Sequence, residues 1–213
     1  MRHPTPLLPG RRLLLSGLAG AAIAGLPRHA AAQLQPTPAQ STGPFYPVDW
    51  SGDADADLVR VTGEDARAQG IVTHLRGRVL DASGAPVPGA VVEIWQCDAF
   101  GVYHHPRDRQ GRRDVAFQGR GRVAAGADGS YAFRTIRPVP YPGRTPHIHA
   151  AIIAPGRQPL VTQFYVADEP LNARDGLFRR LAPAQREAVL LRLERAEGIE
   201  PGALLAGRDI VLG

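Results

Sequence analysis

From about residue 71 the chain changes from a polar, proline-rich stretch to a series of short apolar runs. "THLRGRVLD" alternates apolar and polar positions, the period-2 pattern of a half-buried strand. "ASGAPVPG" supplies turn residues, and "AVVEIWQCD" is a β-branched run that reads as the next strand. "RGRVAAGADGSYAFRTI" predicts a hairpin turning at Asp128-Gly129, and "HIHAAII" and "PLVTQFYV" predict two further strands. Short strands separated by Gly/Pro turns, with no long helix between them, predict a mainly β fold. The expected form is an antiparallel β-sandwich, immunoglobulin- or prealbumin-like in kind.

Past residue 170 the pattern turns helical. "ARDGLFRRL" and "PAQREAVLLRLERAEG" predict short C-terminal helices. In the second, Val189, Leu190, Leu193 and Ala196 would share one face, with Pro183 in the first turn and Gly198 at the end. "RDIVLG" would return as a last strand. Residues 33–70, rich in Pro, Ala, Asp and Gly, predict an extended arm with one ordered piece, "STGPFYP". The expected organisation is a leader over 1–32, the arm over 33–70, the sandwich over 71–170 and the C-terminal extension over 171–213.

Charge changes the picture only at the N-terminus. Residues 1–32 hold Arg2, Arg11, Arg12 and Arg28 and no acidic residue. Arg11-Arg12 precedes a short apolar run of small residues, and "AAA" at 30–32 offers an Ala-x-Ala cleavage site. This is the layout of a secretory signal of the twin-arginine type, and the run is too short and too rich in Gly and Ala to span a bilayer well. The expected location is periplasmic or extracellular. Without those four arginines the formal net charge falls from +5 to +1, so nothing points to nucleic acid, and no membrane contact is expected of the mature form. The single Cys97 cannot form an internal disulfide. Folding before export would instead allow a metal to be loaded first. A homo-oligomer is compatible with the sequence.

The candidate chemistry gathers in "YPGRTPHIHA", residues 141–150. In a strand, residues i and i+2 share a face, so His147 and His149 project together and can share one metal ion. The same spacing also serves hydrogen-bonded surface pairs. The further donors on offer are phenols: Tyr141 after a proline-fixed stretch, and Tyr103 just past the strand that carries Trp95. A phenolate is a hard anionic donor that favours Fe(III) over Zn(II) or Cu(I). His104 and His105 read as solvated loop residues, and Cys97 as a small core residue.

These residues sit in blocks that together resemble one family. "STGPFYP", "GRVLDASGAPVPGAVVEIWQCDAFGVY", "DGSYAFRTIRPVPYP", "RTPHIH" and "LVTQFY" occur in the order found in the intradiol ring-cleavage dioxygenases, the group of protocatechuate 3,4-dioxygenase and catechol 1,2-dioxygenase. The resemblance runs from about residue 41 to at least residue 178. It implies one non-haem Fe(III) per chain held by Tyr103, Tyr141, His147 and His149, with a solvent hydroxide as fifth ligand. Arg144 would stand beside the substrate ring and Gln163 would line the same pocket, with Pro44 and Tyr46 in its wall. The implied reaction inserts both atoms of O2 into a catechol-type substrate and opens the ring between its two hydroxylated carbons, giving a muconate-type product. Tyr141 is the ligand implied to let go, and the substrate's second proton would pass to it or to the metal-bound hydroxide. Only five residues separate Tyr141 from His147, fewer than in protocatechuate 3,4-dioxygenase. The "NARDGLFRRL" segment also departs from the better-known members and resembles exported ones; both differences bear on substrate preference and assembly. The competing reading is a metal-free carrier or adhesion sandwich, which shares the "GAPVPGAVV" strand pattern.

Overall fold

The computed structural model describes residue 1, residues 33–109 and residues 111–213. The leader expected over 1–32, residue 1 apart, therefore lies outside the described residues. Strands β1 (Val72–Asp81), β2 (Val91–Trp95), β3 (Arg120–Ala124), β4 (Ser130–Ile136), β5 (His147–Ile153) and β6 (Leu160–Val166) are followed by a 3-10 turn over Pro170–Ala173. Helices α1 (Gly176–Arg180) and α2 (Pro183–Glu187) come next, then β7 (Leu190–Leu191), β8 (Leu193–Arg195), β9 (Leu204–Gly207) and β10 (Ile210–Leu212). Among the described residues these strands form two five-stranded sheets, β1 with β4, β8, β9 and β10, and β3-β2-β5-β6-β7. Leu75 and Val79 of β1 and Tyr131 and Phe133 of β4 share one buried cluster with Ile94 of β2, Ile148 and Ile152 of β5 and Phe164 of β6. The core thus lies between the sheets, as in a sandwich, and burial of this apolar surface is its main support.

Three sequence expectations are corrected by this arrangement. The Asp128-Gly129 turn does close, with the Gly126 N–H donating to Ser130 O at 2.8 Å and the Ser130 N–H to Asp128 Oδ1 at 3.0 Å. The strands it joins are not a hairpin, however: β3 pairs with β2 and β4 with β1, so the turn crosses from one sheet to the other. Alternation along each strand cannot distinguish these outcomes, because both place the apolar face on the same core.

The second correction concerns the last segment. α2 stops at Glu187, and Val189, Leu190, Leu193 and Ala196 are not on a helix. Val189 O and Leu191 O instead accept from the N–H groups of Tyr165 and Ala167, extending the second sheet. The free edge of β6 offered ladder partners that an isolated helical turn could not match. Thirdly, this segment pairs in parallel, β7 with β6 and β9 and β10 with β1, so the antiparallel sandwich carries a parallel fringe. β9 and β10 share one register along β1, Thr73 opposite Leu204 and Asp81 opposite Leu212.

The arm contains no helix or named strand, yet it is part of the body. Leu58 and Val59 are fully buried in the main core. Backbone bonds from Leu34, Thr37 and Gln40 to Ala82, Val211 and Val161 tie the arm across both sheets. This explains why β5 is buried along nearly its whole length. Ile148, Ala150 and Ile152 face the sandwich core, while Ala151 on the other face joins a separate cluster with Trp95, Cys97 and Tyr103, against which Phe45 and Tyr46 of the arm pack.

Candidate metal centre

His147 and His149 project from β5 onto that second face, both 1% exposed. Their Nε2 atoms lie 3.2 Å apart. His147 Nδ1 is 2.6 Å from Thr145 O, which places its proton on Nδ1 and leaves the Nε2 lone pair facing inward. Trp95, opposite His149 in the β2–β5 ladder, stacks on its ring at 4.8 Å and 9°. Burial, then the nearby Arg144 guanidinium, lowers the His147 pKa to about 4. Burial, then His147 and Arg144, holds His149 well below the ordinary value. Both rings are therefore neutral near pH 7, the form that ligates a metal.

Tyr103 arrives from the loop after β2. Buried Asp98 shapes that loop, accepting from the N–H groups of Phe100, Val102 and Asp114, and Asp108 accepts from Tyr103 N at 2.8 Å. The Tyr103 ring stacks on Phe45 at 4.6 Å and meets Tyr141 edge-on at 5.4 Å. Its hydroxyl is buried and makes no hydrogen bond of ordinary geometry. Burial, then the Tyr141 phenol, pushes its pKa well up. A buried phenol whose polar neighbour is only the Tyr141 phenol is costly by itself, and a bound cation would offset that cost.

Tyr141 and Arg144 are joined by a tight turn in which the Arg144 N–H donates to Tyr141 O at 2.9 Å. Pro142 and Gly143 occupy its centre, and Gly143 has φ +79°, the sign a type II turn needs at that position. The turn brings Arg144 Nη1 to 3.2 Å from Tyr141 Oη. Burial raises the Tyr141 pKa, while Arg144 pulls it back. Arg144 also donates from Nη2 to Gln163 Oε1 at 2.5 Å and from Nε to Asp175 Oδ2 at 2.8 Å. Gln163 and Tyr165 lie opposite His149 and His147 in the β5–β6 ladder. The Tyr165 hydroxyl donates to Gln40 Oε1 at 2.7 Å, linking the site to the arm.

Both phenols, both imidazoles, Arg144 and Gln163 thus converge on one face of the second sheet. Pro44 and Tyr46 sit farther out. Pro44 is exposed. Tyr46 packs edge-on against Trp95 at 5.0 Å, and its hydroxyl is tied to Glu93 Oε2 at 2.8 Å, so it supports the site through Trp95. His105, expected in solvent, is buried, with Nδ1 accepting from the Arg107 N–H at 3.0 Å. Cys97 is buried, and desolvation with the Asp98 charge pushes its thiol up to about 12. Sequence reading missed Asp175, Gln40 and Tyr165. Only Tyr165 carried a local signal, standing two residues from Gln163 and so on the same strand face.

A cavity of about 220 Å³ opens beside Tyr141 and Arg144, lined also by Pro140, Gly143, Thr145, Leu171, Arg174 and Asp175. This is room for a small aromatic molecule, below the roughly 300–1,000 Å³ of sites for drug-sized ligands. A larger cleft of about 480 Å³ between Phe100 and Val115 contains none of the donors. No group of three or more His, Cys, Asp or Glu side chains able to hold a metal occurs among the described residues. The donor set therefore rests on tyrosine.

A β-sandwich that gathers two phenols and two neutral imidazoles on one buried face defines a class, that of proteins with a donor set suited to a hard metal ion. Comparison with known proteins narrows it. A family model described as dioxygenase matches residues 41–205. The protocatechuate 3,4-dioxygenase beta chain of Burkholderia cepacia is 35% identical over 183 residues, covering 78% of this chain and 77% of its own. The hydroxyquinol 1,2-dioxygenase of Nocardioides simplex is 33% identical over 184 residues, covering 78% of this chain and 59% of its own. The solved dioxygenase domain of a dioxygenase carbohydrate-binding protein fusion from Streptomyces sp. SirexAA-E superposes with a TM-score of 0.64 at 34% identity, over 84% of this chain and 98% of that one. The chain belongs to the intradiol ring-cleavage dioxygenases, non-haem Fe(III) oxidoreductases that put both atoms of O2 into catechol-type substrates. Membership sets aside the metal-free carrier or adhesion reading.

Proposed function

We propose that Tyr103, Tyr141, His147 and His149 hold one ferric ion per chain, and that a catechol-type diol binds beside Tyr141 and Arg144. One observation carries this: four ligand-type side chains share one buried face, with the Tyr103 hydroxyl stranded and the two imidazole Nε2 atoms 3.2 Å apart. The residues fit the group. Two hard anionic oxygens offset most of a trivalent charge, and two neutral nitrogens complete the set without adding to it. Bound there, ferric iron would supply Lewis-acid activation of the diol and the redox chemistry toward O2.

The chain's own residues supply the rest. Phe45 and Trp95 wall off the Tyr103 and His149 side from water. Tyr141 is the more accessible phenol, and Arg144 stabilises negative charge at its oxygen. As the accessible phenolate beside the cavity, Tyr141 Oη can accept a proton from the incoming diol, although Arg144 lowers its basicity. Arg144 also stabilises negative charge developing on the substrate, fixed in place by Gln163. Pro44 and Tyr46 form the outer wall.

The test is iron content and colour. The wild type should carry one iron per chain and a red-brown tyrosinate band. Tyr103→Phe should lose most of the iron, whereas Tyr141→Phe should keep more iron with part of the band. Full iron and full absorbance in both variants would show the ligand assignment to be wrong.

We also propose that residues 1–32 act as a twin-arginine signal, giving a periplasmic or extracellular mature protein without nucleic-acid or membrane partners. The support is Arg11-Arg12 ahead of the apolar run and the Ala-x-Ala site. Replacing both arginines by lysine should leave the protein in the cytoplasmic fraction; unchanged export would refute the assignment.

A further inference from the structure

We propose that Asp175 is a positioning residue for ring cleavage: its carboxylate sets the plane of the Arg144 guanidinium and so aims the remaining N–H donors at the substrate. The inference rests on the site reading above and adds a residue 31 positions from Arg144 in the chain.

A guanidinium has five N–H groups in a fixed plane. Three are used: Nε–H to Asp175, one on Nη1 to Tyr141 Oη, and one on Nη2 to Gln163 Oε1. The Tyr165 phenol also interacts with the guanidinium, and the terminal N–H groups not so engaged lie beside the cavity that Arg144, Tyr141 and Asp175 line. Gln163 is a neutral acceptor, and Tyr141, itself a proposed iron ligand, stands on the substrate side. Asp175 is the carboxylate anchor: it takes the Nε–H and leaves the terminal nitrogens to other partners.

Helix capping alone does not account for this carboxylate. Asp175 Oδ1 caps α1, accepting from Leu177 N at 2.9 Å and Phe178 N at 3.0 Å. A cap needs only one oxygen. Oδ2 goes elsewhere, to Arg144 Nε and, at 3.1 Å, to the N–H of Thr145. Thr145 in turn offers its carbonyl to His147 Nδ1 and its hydroxyl to Asn172 Oδ1 at 2.8 Å. The side chain is 0% exposed against 16% for Arg144, and a carboxylate so deeply buried requires a counter-charge. Burial pushes the Asp175 pKa up, but the Phe178 N–H and Arg144 outweigh it and hold the group ionised. One carboxylate thereby couples the C-terminal segment to the substrate-facing arginine.

The experiment is a double-mutant cycle on the iron-loaded enzyme with catechol as substrate. Asp175→Asn keeps an oxygen for the cap and removes the charge; Asp175→Ser keeps only the cap and serves as the second variant if D175N folds poorly. D175N should lower kcat/KM about ten- to a hundredfold, as expected for a misaligned catalytic group, with iron content and the tyrosinate band unchanged. In an Arg144→Ala background the same substitution should cost less than about twofold, because its effect passes through the missing guanidinium. Anaerobic catechol affinity, read from its iron charge-transfer band, gives the same cycle without turnover. Equal losses in both backgrounds, or loss of iron from D175N, would reduce Asp175 to a structural cap and overturn the proposal. A wild type that binds iron and catechol yet shows no D175N effect overturns this inference alone. A wild type without iron or turnover overturns the site reading and this inference with it.

Discussion

Arg134 and Arg144 are both partly buried arginines bonded to carboxylates, and they do opposite work. Arg134, in β4, faces two carboxylates: Nε and Nη2 donate to Glu200 at 2.8 and 2.7 Å, and Nη1 donates to both oxygens of Asp57 at 3.0 and 3.1 Å. His74 adds a contact to Glu200 at 3.2 Å. Its positive charge is more than compensated, and the network ties the arm, β1, β4 and the C-terminal segment together. Arg144 has one carboxylate, one phenol and one amide as partners, and it lines a cavity. A guanidinium held by two carboxylates is a staple; one held by a single carboxylate beside a cavity can still act on something else.

The comparison breaks most sharply by exchange of phenotypes. Arg144→Ala should lower kcat/KM by about 10²–10³, the usual cost of an electrostatic stabiliser. Arg134→Ala should leave kcat/KM within about twofold wherever the protein is folded. Its cost should fall on stability, about 2 kcal/mol for a network that still touches solvent, read by urea denaturation. A catalytic loss of similar size in both variants would erase the distinction.

Acid sharpens it. Hydrogen bonds from Arg134 hold the Glu200 pKa down to about 2, against an ordinary 4.5. Between those values the unfolded chain binds more protons, so the stability from this pair is complete above about pH 4.5 and lost as pH falls toward 2. Wild type and Glu200→Gln should therefore differ in denaturation midpoint at pH 6 and converge near pH 2. A difference that is constant with pH would refute the assignment.

The smallest effect is expected at Gly43, on the arm above the site. It has φ +71°, and a Cβ there would lie 3.3 Å from His149 Cε1. Gly43→Ala should cost about 1 kcal/mol from the left-handed backbone and lower iron affinity severalfold by pressing on His149. Unchanged affinity would mean that the arm gives way at this point.

Much of the centre was legible because it is local. The alternation of β5 put His147 and His149 on one face, and Tyr-Pro-Gly-Arg is a turn that must bring a phenol near a guanidinium. Tyr103 could be tied to them only through the resemblance, since nothing within its loop indicates which strand it will face. The strands themselves were legible as elements, but β3 and β4 were joined in a hairpin that does not form, and Val189–Ala196 read as helix.

The sequence by itself determined the elements and the donor chemistry, since side-chain period, turn residues and ligand type are properties of a few neighbouring residues. Tertiary structure decided which sheet each strand joined, that the C-terminal segment would pair with the edge of β6, and that Asp175 would reach Arg144. Those outcomes depend on which partners compete for the same backbone donors and buried charges, and that competition takes place between residues far apart in the chain.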